Sequence, residues 1–172
     1  MFSNVGDFIN FLGDEIGVVR FKGDFDLQGL LKMIYSFLKT KNYDFYENKH
    51  KAKIPELEIG WKAERKVTPY YLYRIEVGIH FYDLAENEVT DEFGNKKRLT
   101  NGRFVMEIKG GIERGYATEW EEEKNHIRAL MKNFYEALTK REFMAKHAQT
   151  LIFEAAELRD MVNSFLGMVA AE

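Results

Sequence analysis

The histidines are the first residues here that could do chemistry. Glu123-Lys124-Asn125-His126 sets a carboxylate and an imidazole three residues apart, the spacing that puts both on one face of a helix, as in half of a di-iron site. Such a centre needs a second copy and further glutamates on facing helices; the sequence supplies neither, so a solvated helix face is the better reading. His80 alternates with Arg74, Glu76 and Tyr82 on the polar side of a strand pattern, where an acid or base would act if that side lined a cleft. No nucleophile or carboxylate pair joins it at a diagnostic spacing, which favours an ordinary cross-strand network. His50 and His147 have still less context. There is no G-x-S-x-G, no phosphate-binding loop and no dinucleotide fingerprint. No catalytic residue, metal ligand or cofactor is assigned, and an enzyme ranks behind two kinds of binding protein.

Two sets of residues carry those binding readings. Trp61, Tyr71, Tyr73, Ile75, Phe104 and Met106 fall on the apolar side of their strand patterns, opposed by Trp120, Met131 and Phe134 from a later helical stretch. A closed core and a cavity for an apolar small molecule both fit this set. The hydroxyls of Tyr71 and Tyr73 are the polar handles that would orient such a ligand. Lys49, Lys51, Lys53, Lys62, Arg65 and Lys66 are interleaved with Tyr46 and Trp61, a mixture that suits RNA or a ribosomal surface. Glu47, Glu56, Glu58 and Glu64 interrupt them, so a mixed solvated face outranks a nucleic-acid site. Lys96-Lys97-Arg98, at a hairpin tip, reads as edge protection.

The elements that must position these residues follow from hydrophobic period. Val5, Phe8, Ile9 and Leu12 repeat at helical spacing before Gly13, giving a short N-terminal helix. Ile16–Lys22 reads as a strand, Gly23-Asp24 as a turn, and Asp26–Thr40 as a helix with Leu27, Leu30, Leu31, Ile34 and Leu38 on one stripe. From Tyr43 the period becomes two, with a turn at Ile54-Pro55-Glu56 and Pro69 at a strand entry. Tyr71–Phe81 and Arg103–Tyr116 alternate over long stretches. Hairpin turns are expected at Asp91–Asn95 and at Asn101-Gly102, with two short strands between Tyr82 and Thr100, for about seven strands in all. Gly110-Gly111 suggests a bulge.

From Thr118 onward the pattern is helical. A single helix of ~50 residues would be ~75 Å long, against ~40 Å for a compact domain of this size. Thr118–Glu121 and Thr139–Glu142 both fit a capping box, so two helices meet near Thr139. If that junction stays straight, residues 139–172 form an arm whose stripe of Leu151, Ile152, Ala155, Leu158, Val162 and Phe165 needs a partner subunit, making a homodimer through the C-terminal helix the first expectation.

The 172 residues suit a single α+β domain with a real core, and no linker or repeat divides them. The chain has no cysteine, which excludes disulfides, zinc ribbons and thiol nucleophiles and fits a reducing, cytoplasmic setting. No signal peptide or membrane-spanning stretch is expected. A net charge of -3 argues against bulk nucleic-acid affinity.

The order strand, helix, about six antiparallel strands, long terminal helix resembles the helix-grip arrangement of START-related proteins. The resemblance covers Ile16 to Leu138 and implies a curved antiparallel sheet wrapped on the last long helix, with an apolar cavity between them. One continuous helix after the first strand, where that family has two short ones, is a departure. The run Leu99–Gly110, with Trp120 and Leu130–Glu136, is also similar to a group of uncharacterised archaeal proteins. The resulting expectation is a non-enzymatic binding or interaction module.

Overall fold

The computed structural model describes residues 9–10, 17–68, 71–90, 93–114 and 142–167. Six strands, β1 (Ile9–Asn10), β2 (Val18–Phe25), β3 (Asp44–Lys53), β4 (Glu56–Lys66), β5 (Tyr71–Thr90) and β6 (Lys96–Arg114), form one antiparallel sheet with α1 (Leu27–Thr40) and α2 (Glu142–Phe165). The order is β1-β6-β5-β4-β3, and β2 also pairs with β6, so β1 and β2 cover successive stretches of one β6 edge. The sheet is curved and does not close. Five of its strands are long and β1 has two residues.

Alternation decides which way each strand faces. On β5, Tyr71, Tyr73, Ile75, Val77, Ile79 and Phe81 are all buried, joined by Ile59, Trp61 and Ala63 of β4 and Phe104, Met106 and Ile108 of β6. Arg74, Glu76 and His80 point to the outer side. At one end, Phe25 stacks on Phe81 and meets Phe104 edge-on, an aromatic cluster that sets the angle between β2 and the centre of the sheet. Asp26 caps α1 by accepting from the Gly29 amide at 2.9 Å. Beyond Thr40, Asn42 takes a left-handed conformation (φ 61°) that ends the helix, and Tyr43 enters the sheet.

Several sequence expectations are corrected. Ile9–Asn10 pairs with Ile112 and Gly111 as a strand, within the span expected to be helical. Gly23-Asp24 and Asn101-Gly102 do not turn the chain: they lie opposite each other in a continuous β2–β6 ladder. The two short strands expected between Tyr82 and Thr100 are continuations of β5 and β6, which stay paired as far as Thr90 and Lys96. Six strands, against the expected seven, are found among the described residues. Gly110-Gly111 keeps regular pairing with Ile75 and Arg74; the β5–β6 irregularity falls between Tyr82 and Ala85, where Asp83 has φ 55°.

The terminal stripe also has a different fate. Leu151, Ala155, Leu158 and Val162 are buried within the chain's own core cluster, and Ile152 packs partly against it. Each of the larger side chains contributes about 1.5–3 kcal/mol by leaving water, enough to hold α2 against the domain. The arm reading therefore fails for the described part of this helix, and Phe165 alone of the stripe stays exposed. The expected helix from Thr118 and its junction near Thr139 lie outside the described residues.

Candidate functional site

The inner face holds six of the nine residues proposed to meet a ligand. Trp61, Tyr71, Tyr73, Ile75, Phe104 and Met106 are at most 7% exposed. Trp120, Met131 and Phe134 lie outside the described residues, as do Glu123 and His126. Where α2 crosses the sheet near Tyr73, the apolar interior gives way to a polar cluster. Tyr73 hydrogen-bonds His147 Nδ1 through its hydroxyl, and the Tyr71 ring stacks on the same imidazole at 5.4 Å. Burial holds the His147 pKa below its ordinary value, with Lys146 adding to the effect, and burial raises that of Tyr73.

A charged clamp sits two helical turns further along. Glu154 accepts from the Tyr43 hydroxyl at 2.6 Å and from Arg65 at 2.9 Å, while Arg65 also donates to the Lys41 carbonyl at 2.7 Å. The guanidinium lies over the Tyr43 and Tyr73 rings, 4.6 and 5.2 Å from their centres. Burial, with the bond to Glu154, raises the Tyr43 pKa. Lys41, Tyr43, Arg65 and Glu154 thereby join the end of α1, the start of β3, the end of β4 and the middle of α2. Tyr43, Arg65 and Glu154 are all hydrogen-bonded within the protein, which suits a clamp better than a reaction centre.

Sequence reasoning misses this cluster, although two signals are present. Ile59, Trp61, Ala63 and Arg65 share one phase of β4, so Arg65 belongs to the inner face and not to the basic surface. His147 and Glu154 fall on the same helical stripe as Leu151 and Leu158, where a polar residue needs an internal partner.

The remaining basic candidates do share the outer side, but they do not make a cationic field. Lys49 bonds Glu58, and Lys62 lies 3.2 Å from Glu64 and over the Tyr46 ring. Bonds from Arg74 and Lys62 outweigh burial and lower the Glu64 pKa, and Arg74 also reaches Glu113 at 2.6 Å. Lys51 and Lys53 are exposed on the β3 edge, Lys53 opposite Glu56. His80 stacks on Tyr82 and lies 3.5 Å from Glu56, while His50 lies 3.3 Å from Glu47. Among the described residues no group of three metal-ligating side chains converges, and no helix is long and apolar enough to cross a membrane.

An open apolar feature lies on the other side of α2. Phe153, Ala156, Met161 and Phe165 of α2 and Met33 of α1 line a solvent-open groove of about 800 Å³, with Glu157, Asp160 and Ser164 completing it. The Phe165 ring lies so close to Gly29 that a Cβ there would come within 3.0 Å of it, while Lys41 bridges to Glu157 at 2.7 Å. These contacts set the two helices antiparallel. No protein family, curated protein or solved structure matches this chain in comparison with known proteins.

Proposed function

We propose that this chain is a non-enzymatic protein-interaction module: the sheet and α2 form a closed scaffold, and the groove between α1 and α2 receives a partner. The observation that carries the reading is the exposure of Phe153, Met161 and Phe165 on a helix that buries Leu151, Ala155, Leu158 and Val162 in the core. The helix-grip resemblance adds the idea of a helix held against a curved sheet. The cavity that goes with it has less support, because Tyr73, one of the two expected ligand handles, spends its hydroxyl on His147. An RNA-binding role loses support through the pairing of Lys49 and Lys62 and the inward turn of Arg65.

An environment-sensitive apolar dye tests this. Saturable binding should weaken in Phe153→Ser and persist in Tyr73→Phe. Binding that is lost in Tyr73→Phe and indifferent to Phe153→Ser would move the site to the interior and return the cavity reading.

A further inference from the structure

We infer that the free edge of β3 pairs with β3 of a second copy of this chain, antiparallel and in one register, so that the sheet runs on across a two-fold axis. This surface is separate from the groove, and neither depends on the other. β3 ends the strand order, and its side away from β4 has no strand beside it among the described residues. All but one of its ten residues are exposed. Lys49, Lys51 and Lys53 guard the edge against an uncharged strand, which would strip water from them and return no counter-charge.

The order of charge separates a second copy from other strands. β3 carries its acids, Asp44 and Glu47, in its first half and Lys49, Lys51 and Lys53 in its second. Turned end for end, the strand is its own complement. Pairing residue 44 with residue 53 of the copy sets Asp44 against Lys53, Phe45 against Ala52, Tyr46 against Lys51 and Glu47 against His50, each pair repeated by the two-fold axis. Face agrees with charge. Asp44, Tyr46, Lys51 and Lys53 share the outer side of the sheet and Phe45, Glu47, His50 and Ala52 the inner, so every pair joins side chains on one side. The bulge between Glu47 and Lys49 falls at the axis, where both strands bend together and register is kept on either side. Sliding the copy by two residues leaves Lys53 unmatched in one direction and Asp44 in the other. Among the described residues neither of these two is in an ion pair, and Asp44 lies opposite a like charge, Glu64, that Lys62 and Arg74 already neutralise. Apolar surface flanks the edge on both faces: Tyr35, edge-on to Phe45, and Tyr46 are each 43% exposed.

Sedimentation of the full chain over a range of concentrations tests this and should show a monomer–dimer equilibrium. Asp44→Lys or Lys53→Asp sets like charges opposite each other twice per dimer and should weaken association about tenfold at low salt. The two changes combined restore opposite charges and should recover the affinity, while circular dichroism confirms that each variant is folded. Phe153→Ser should leave the equilibrium as it is. Register is read separately: a nitroxide on Lys51→Cys should report a label-to-label distance of about 15–25 Å, from an offset of about five residues along the paired strands. A monomer at every concentration would overturn the inference. So would a dimer that the single reversals leave intact, a double variant that stays weak, or a label distance outside that range. A dimer abolished by Phe153→Ser would put the second copy in the groove instead.

Discussion

Replacing Glu154 by Ala removes the acceptor that joins three elements. Tyr43 is 1% exposed and would be left with a buried hydroxyl that has lost its partner, at a cost of about 1–3 kcal/mol. Arg65 keeps the Lys41 carbonyl and has a side chain 21% exposed, so losing its carboxylate falls well below the full cost of an orphaned buried charge, at about 1 kcal/mol. The expected loss is roughly 3 kcal/mol, a melting-temperature drop of about 6–12 °C for a chain of this length. Urea titrations of Glu154→Ala, Tyr43→Phe and the double variant close a mutant cycle. Because the Tyr43→Phe background has no hydroxyl to strand, Glu154→Ala should cost about 1–2 kcal/mol less there. A loss under about 0.5 kcal/mol for Glu154→Ala, the range of an ordinary surface change, would refute the clamp.

Other expectations follow from the same geometry. Ile75→Asp puts an unpaired charge at a position 0% exposed and should unfold the domain, whereas Glu76→Lys, one residue on and facing out, should shift the melting temperature little; equal tolerance would mean the faces are misassigned. His147 has a pKa lowered by burial, so the unfolded chain takes up its proton first. Stability should therefore fall as pH drops through about 6.5, and His147→Gln should flatten that slope in melts above pH ~5, clear of the ordinary carboxylate range. Gly29→Ala improves helix propensity on paper yet would place a Cβ 2.5 Å from the capping carboxylate of Asp26 and 3.0 Å from Phe165; calorimetry should show destabilisation, and a higher melting temperature would contradict this packing.

Much of the scaffold is legible in the sequence because local period and local chemistry agree there. The β5 alternation, the apolar stripe of α1 and the turn at Ile54-Pro55-Glu56 each depend on neighbouring residues. The misreadings share a different cause. Gly23 and Gly102 look like turn residues until one sees that they face each other across the β2–β6 ladder, a long-range pairing. β3 is almost wholly exposed, so its strand character depends on β4 more than on any apolar pattern of its own. The Leu151–Val162 stripe is visible in the sequence but its destination is not, because period says that a face is buried and does not say against what. The polar cluster shows the same limit: Tyr73 and His147 are 74 residues apart in sequence, as Tyr43 and Glu154 are 111 apart. Proximity in sequence groups Arg65 with its basic neighbours, whereas strand phase assigns it to the other face.

The central claim is that the interior between the sheet and α2 is closed while the outer α1/α2 groove is open. A chain without cysteine allows a direct measurement, since one introduced thiol reports one position. Met106→Cys lies at a site 0% exposed in the core and Phe153→Cys at the groove. With a thiol reagent under native conditions, Phe153→Cys should label at the rate of a free thiol and Met106→Cys only as fast as the fold opens, accelerating with urea. Rapid, urea-independent labelling of a folded Met106→Cys protein, or a protected Phe153→Cys, would contradict the account.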